Sequence, residues 1–288
     1  MAFQKFIPSI WNKEVMEHFN RATVFANDCH TDFEGSISAL GQDIIFTNVA
    51  DPTIKRQSKS QFEAQGTGNP EKPQITTLKM TINQVASYST EFPCIDTMLA
   101  NIPVKENYQK GFGQGMANEI DKYIGALAND GNAPLLHATA QKIVDGTASS
   151  SDGELNVLDC LDMARQKLQE NDVPNNEEVI ATVSPAFMRR LRKAYVNLST
   201  NNPELIKRGI VGEYNGIYIK LSNNIYKNAS NDEKMFVKTK KAVGYANPVT
   251  KSRAYVRDGF FDEVLNGFSW FDAKILMPKQ MIVLHCKY

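Results

Sequence analysis

No apolar run in this chain approaches the roughly 20 residues that a membrane-spanning helix requires, so nothing in it reads as a transmembrane segment. Its opening, MAFQKFIPSIW, lacks the basic flank, apolar centre and small-residue cleavage site of a secretory signal. Cysteine is scarce and scattered: Cys29, Cys94, Cys160 and Cys286 show no CxxC spacing. That argues against a zinc site or a disulfide framework, and for a chain made in a reducing cytoplasm. The four histidines, His18, His30, His137 and His285, form no HxxxH pair and no cluster with carboxylates, so no metal site is expected. An excess of charge is missing too. Thirty-two Lys and Arg balance 32 Asp and Glu, whereas a dedicated nucleic-acid binder carries a basic surplus.

Catalytic motifs are absent as well. Gly111-Phe112-Gly113-Gln114-Gly115 imitates a phosphate loop, but no strand precedes it, no Lys-Ser/Thr follows, and it sits inside a helical pattern. Ser184 before Pro185 reads as a helix N-cap, and no GxSxG elbow surrounds it. Glu119 and Asp121 flank Ile120 and point to different sides of a helix, so they do not pair as acid and base. Arg189, Arg190, Arg192 and Lys193 alternate with apolar residues in a helix; a neutral chain favours a solvated face there over a phosphate patch. The expectation is a protein with no catalytic residues, no cofactor and no bound metal.

What the chain does have is ordinary globular composition, with 42% hydrophobic residues, and one long helix candidate over 105–130. Ile120, Tyr123, Ile124 and Leu127 follow the i, i+3, i+4, i+7 spacing of one apolar face, and Tyr108, Phe112 and Met116 extend it upstream. Gly131 stands where a left-handed C-terminal cap is expected. Gly111, Gly113 and Gly115 each cost a helix about 0.8–1 kcal/mol against Ala. Either another backbone approaches there or the helix bends, which makes Gly111 and Gly115 candidate packing positions.

Around this rod the pattern is mixed. Asn12 caps a predicted helix to about Phe25, with Val15, Phe19 and Ala22 inward. Ile44 to Phe46 start a strand, and Leu78, Met80 and Ile82 alternate with Lys79, Thr81 and Asn83 in another. Between them, residues 55–73 carry Phe62 as their one large apolar side chain. Residues 43–92 therefore read as a long projecting hairpin with a polar tip, or as strands joined by a disordered linker. DGTASSSDG at 145–153 is the best domain boundary. Further on come an amphipathic helix with Leu158, Leu161, Ala164 and Leu168, a buried strand over 179–183, and a helix from Pro185. Asn215-Gly216 signals a hairpin turn. Short strands follow at 235–237, 242–246, 253–256 and from Phe268 to Leu276, and Met281 to Leu284 fits a central strand buried on both faces. Without regular βαβ alternation the class is α+β.

The order of these parts is specific. FIPSIWNKEVMEHFNRATVFAND with TDFEGSI, then DIIFTNVADPTIK, ITTLKMTINQVASYS, ANEIDKYIGALA, VIATVSPAFMRRL, GIVGEYNGIYIKLSNNI and FSWFDAKILMPKQMIVL succeed one another in a way that resembles tailed-bacteriophage major capsid proteins. The resemblance spans nearly the whole chain and rests on the succession rather than on any one motif. It implies an N-terminal arm at 1–40, an extended loop at 41–92, and a peripheral domain at 93–154 with its spine helix at 105–130. An axial domain at 155–250 follows, with C-terminal strands 251–288 returning to both. It also implies a subunit that assembles with itself into pentamers and hexamers of an icosahedral shell around double-stranded DNA. Scaffolding, portal and decoration proteins are its implied partners, and the virion, assembled in the host cytoplasm, its location. Extended loops in that family lie over neighbouring subunits, which nominates Lys55, Arg56, Lys59, Phe62 and Glu63 as contacts. The family's spine is richer in alanine than this one, and no long N-terminal scaffold segment is apparent. A cargo-holding bacterial nanocompartment shell of the same fold and a small-molecule enzyme are the competing readings.

Overall fold

The computed structural model describes residues 23–31, 43–49, 54, 56–66, 72, 75–92, 104–144, 154–194, 210–259 and 262–288. In chain order its elements are β1 (Asp43–Val49), α1 (Lys59–Gln65), β2 (Ile75–Thr81), β3 (Gln84–Phe92), α2 (Val104–Ala126), β4 (Gln141–Val144), β5 (Glu154–Asn156) and α3 (Val157–Glu170). After these come β6 (Val179–Val183), α4 (Pro185–Ala194), β7 (Ile210–Tyr214), β8 (Ile217–Leu221), β9 (Tyr226–Lys227), β10 (Glu233–Thr239), β11 (Val243–Val256), β12 (Glu263–Ile275) and β13 (Met281–Lys287). They form three sheets: the pair β1-β2, an eight-stranded mixed sheet in the order β5-β4-β13-β10-β6-β8-β7 with β9 beside β10, and the three-stranded β11-β12-β3. This is the α+β class that the sequence predicts.

The large sheet holds the main core. Met281 to Leu284 are all buried, because β13 runs between β10 and β4 with both faces covered. All five residues of β6 are buried for the same reason. Helix α3 lies against β13 and α4, and its buried residues Val157, Cys160, Leu161, Ala164 and Leu168 make one helical stripe. Each large apolar side chain so buried contributes about 1.5–3 kcal/mol. Asn156 caps α3 by accepting from Leu158 N at 3.0 Å, and Ser184 caps α4 by accepting from Phe187 N at 3.1 Å. On α4, Phe187, Met188 and Leu191 are buried while Arg189, Arg192 and Lys193 face solvent. The β7–β8 turn has Asn215 at φ 46° and Gly216 at φ 72°, the left-handed pair that a two-residue hairpin demands.

Several expectations need correction. Gly131 has no positive φ. The chain leaves α2 through a 3-10 turn at Leu127–Asn129, and the Asp130 side chain accepts from Asn132 N at 2.9 Å, so no left-handed cap is needed. The predicted strands at 242–246 and 253–256 are one strand, β11. Its register slips between Ala246 and Val249, where Pro248, which has no N–H to give to the ladder, is absorbed as an irregularity. Strand β12 starts at Glu263, upstream of the expected Phe268. β3 does not extend the hairpin: it pairs with β12. Of the helix expected at 12–25, residues 12–22 with Val15, Phe19 and Ala22 lie outside the described residues, as does the segment 145–153; residues 23–25 are described and are not helical, a 3-10 turn following at Ala26–Asp28. The strands flanking that segment, β4 and β5, pair in parallel within one sheet.

A short segment, 23–31, joins these layers. Asp121 on α2 accepts from the backbone N–H groups of Val24 (2.7 Å), Phe25 (3.1 Å) and Ala26 (3.3 Å). Asp28 accepts from Lys220 Nζ of β8 at 2.6 Å, and its carbonyl oxygen accepts from Lys238 of β10. His30 exchanges backbone bonds with Val243 and Tyr245 of β11 at 2.9 and 3.0 Å. Phe25 meets Phe236 edge-on with ring centroids 6.0 Å apart. Spine, large sheet and small sheet are thus held by one strip of chain.

Burial pushes the Asp121 carboxyl up to about 6, opposed by its three amide donors, with the nearby Asp28 adding to the rise. The folded form therefore favours the proton. This group's contribution to stability is fully present below about pH 4 and is lost as pH rises through about 6. The expected size is on the order of 3 kcal/mol at most, from a shift of about two units. Thermal unfolding of wild type and Asp121→Asn from pH 4 to 7.5 checks this. The wild type should lose stability relative to the variant as pH rises, and parallel curves would refute it.

Candidate assembly surface

The hairpin β1-β2 stands on a core of its own. Asp43 to Val49 pair in register with Thr81 back to Ile75, and Ile44, Met80 and Ile82 are buried with Ala246, flanked by Phe46 and Trp270. This cluster is separate from the main core. The alternation read in β2 is what fills it: Met80 and Ile82 point inward while Lys79 and Asn83 are exposed. Polar ties complete the root. Asp272 of β12 accepts from Asn83 N at 3.2 Å and from Tyr123 Oη of the spine at 2.9 Å. Lys274 Nζ donates to the Lys79 carbonyl oxygen at 2.7 Å. Hydrogen bonds from Lys79 and Thr81 hold the Asp43 carboxyl below its usual range.

At its far end the hairpin is bare. Ser58 and Gln61 form a capping box that starts α1, and Gly66, at φ 61°, ends it. The S-x-x-Q signature at 58–61 is legible in the sequence, although the stretch reads there as loop. Every described side chain from Arg56 to Ala64 is exposed. Phe62 is 53% exposed, and Lys59 and Glu63 face each other at 3.8 Å. Of the nominated contacts, Arg56, Lys59, Phe62 and Glu63 therefore share one solvent-facing tip, and Lys55 lies outside the described residues.

The spine glycines divide. Gly111 and Gly115 are exposed, and among the described residues a Cβ built on either meets nothing within 4 Å, so no described backbone approaches them. The close approach is at Gly125, where a Cβ would lie 2.6 Å from the Asn224 carbonyl oxygen. The upper spine docks through aromatic rings instead. Phe112 stacks on Tyr88 with centroids 4.3 Å apart and planes 10° from parallel. The Tyr88 ring in turn lies on Gly267, where a Cβ would fall 2.3 Å from it.

The remaining motifs have structural places. Gly111 to Gly115 are within helix α2. Ser184 Oγ also pairs with Tyr288 Oη at 3.0 Å. Glu119 is exposed and bonded to Lys122 at 2.6 Å, on the side away from buried Asp121. Among the described residues, no group of three or more His, Cys, Asp or Glu is arranged to hold a metal ion.

Neither a family model nor a curated protein matches this chain. Solved structures do. A chain from Mycobacterium phage Che8 superposes with a TM-score of 0.70 at 21% identity, covering 91% of this chain and 90% of that one. A capsid chain of cyanophage P-SCSP1u gives 0.66 at 19% identity, over 93% and 89%. A virus-like particle from Pyrococcus furiosus gives 0.55 at 13%, over 97% and 99%. The chain has the fold of tailed-phage capsid proteins.

Proposed function

We propose that this chain is a major capsid protein: a structural subunit that assembles with itself, as pentamers and hexamers, into an icosahedral phage head enclosing double-stranded DNA. One observation carries the reading, namely agreement of fold with phage capsid chains over about nine-tenths of both partners. The bare hairpin supports it, since every described side chain from Arg56 to Ala64, α1 included, is exposed. On this reading residues 1–40 are the arm, 41–92 the extended loop, 93–154 the peripheral domain, 155–250 the axial domain and 251–288 the returning strands. The pairing of β11 and β12 with β3 beside the spine fits that return. Zero net charge suits a wall that confines DNA without gripping it. Scaffolding, portal and decoration proteins are the expected partners, and assembly takes place in the host cytoplasm. Electron microscopy of the purified chain tests the proposal: closed shells support it, and a monomer under all assembly conditions overturns it. Packaged DNA rather than cargo protein in native particles separates it from a nanocompartment.

Gly111 and Gly115 lie one turn apart on one exposed face of the spine, and we assign them to contacts between subunits. Replacing both by Ala adds about 1 kcal/mol of helix propensity per site and meets no atom of the described residues within 4 Å. The variant should fold with unchanged or higher thermal stability and give fewer closed particles. Normal particle yield would show the glycines to be merely tolerated.

A further inference from the structure

Exposed apolar side chains are ordinary when scattered, but in this chain they gather. Among the described residues, the large apolar side chains that are 48% exposed or more are Ile45, Ile54 and Phe62 of the hairpin and its connection, and Val85 and Val256 of the small sheet. None of them belongs to the large sheet or its helices. At two of these places charge joins the apolar groups, with opposite sign. Beside Ile54 and Phe62 the tip carries Lys55, Arg56 and Lys59 against Glu63. Where β11 turns into β12, Tyr255 and Val256 are followed by Asp258, Asp262 and Glu263 against Arg257. Val256 and Glu263 form the last rung of that ladder, and Tyr255, Val256 and Asp258 are exposed. Arg257 is bonded to Glu91 of β3 at 3.0 Å, so the acids set the sign of the turn. Lys59 and Glu63, 90% and 65% exposed and 3.8 Å apart, are only loosely paired, so the bases set the sign of the tip.

We propose that the hairpin tip of one copy docks on the β11–β12 turn of a second copy, with Ile54 and Phe62 against Tyr255 and Val256 and the bases of the tip facing the acids of the turn. The inference rests on the capsid reading and names the surface that covers its bare tip. Lys59 and Phe62 are three residues apart on α1 and share a face, so one side of the helix presents both the ring and the charge. An apolar centre with a charged rim is the usual anatomy of a contact between proteins, and the rim fixes register more than it adds affinity. It also decides which surfaces meet. Two basic tips repel each other, as do two acidic turns, so the contact runs head to tail. Each copy gives one tip and accepts one. A contact of that kind does not stop at a dimer; it propagates into rings or larger arrays. The patches are small and the contact is weak singly, but it recurs at every copy of a closed assembly.

The experiment assembles equal amounts of isotope-labelled and unlabelled full-length chain. The shells are treated with a zero-length carbodiimide, which joins a lysine to a carboxylate only where the two touch, and linked peptides are mapped by mass spectrometry. Peptides covering 54–63 should be linked to peptides covering 256–263, through Lys59 and Asp258 above all, and mixed-label pairs should show that the link runs between copies. Lys59→Glu and Asp258→Lys should each cut the yield of closed shells several-fold while leaving the Tm of the unassembled chain nearly unchanged. The double variant, with the charges exchanged, should recover most of that yield. Links of a single label only, shells whose tip lysines join other surfaces instead, single variants that assemble normally, or a double variant no better than either single would each overturn the proposal. Wild-type shells without the link overturn this inference alone, whereas a wild-type chain that forms no shell overturns the capsid reading and this inference with it.

Discussion

Replacing Lys220 by Met should lower the unfolding free energy by about 3–5 kcal/mol, the cost of leaving a buried charge without its partner. The Lys220 and Asp28 side chains are only 6% and 3% exposed, and their charged atoms lie 2.6 Å apart. Met fills similar volume, so the packing loss is small and the effect isolates the charge. Lys238 cannot take over, because its ammonium already serves the Asp28 backbone carbonyl rather than the carboxylate. Asp28→Asn in the Lys220→Met background removes the stranded charge and should recover most of the loss, since replacing a buried pair as a whole is often close to neutral. Chemical denaturation of the unassembled chain measures both. A single-variant loss below about 1 kcal/mol would mean that water or a rearranged Lys238 reaches Asp28. The consequence extends beyond stability, because segment 23–31 also holds the spine through Asp121 and the small sheet through His30.

None of that junction is legible in the sequence. Asp28 and Lys220 are 192 positions apart, and a charged residue in a turn-rich stretch looks the same whether it is solvated or buried. Local signals fared better because their physics is local. The alternation of Leu78, Met80 and Ile82, the apolar run at 281–284, Ser184-Pro185 and Asn215-Gly216 each specify a conformation through near neighbours alone. The partner of β3 is not such a property. Gln84–Phe92 reads equally well as a continuation of the hairpin, and its place beside β12 is fixed by Tyr88 seating on Gly267 and under Phe112. The exposure of the tip was legible by a different route. Residues 55–73 are too polar for a core, and every described side chain from Arg56 to Ala64 is exposed. The glycines of the spine were legible as an anomaly only: sequence does not say that Gly125, rather than Gly111 or Gly115, accepts a backbone of its own chain.

Deleting residues 58–72 and closing the gap with a short glycine-containing turn should leave the chain folded and abolish closed shells. The ladder of the hairpin is complete without the tip, since its last pair is Val49 with Ile75, and the root cluster lies at the opposite end. Changing a loop's length alters closure entropy by only about 0.6 kcal/mol per doubling, so Tm should move by a few degrees at most. A seven-residue helix, by contrast, is too short to persist in water on its own. The Ser58–Gln61 capping box contributes on the order of 1 kcal/mol, which leaves tertiary contact to supply the rest. With every described side chain from Arg56 to Ala64 exposed in its own chain, we propose that the contact that orders α1 is made by a neighbouring subunit. Phe62→Ser is the sharper version. At 53% exposure the ring gives its own chain little, and a surface change of this kind usually costs within about 0.5 kcal/mol. If a neighbour covers the ring, however, the loss recurs at every copy in the shell, and contacts that are weak singly act together. Particle yield by electron microscopy, set beside thermal unfolding of the unassembled chain, separates the two effects. Folded subunits that fail to close are the expected result for both variants, and normal shells of wild-type stability from the deletion would make the tip a plain surface loop.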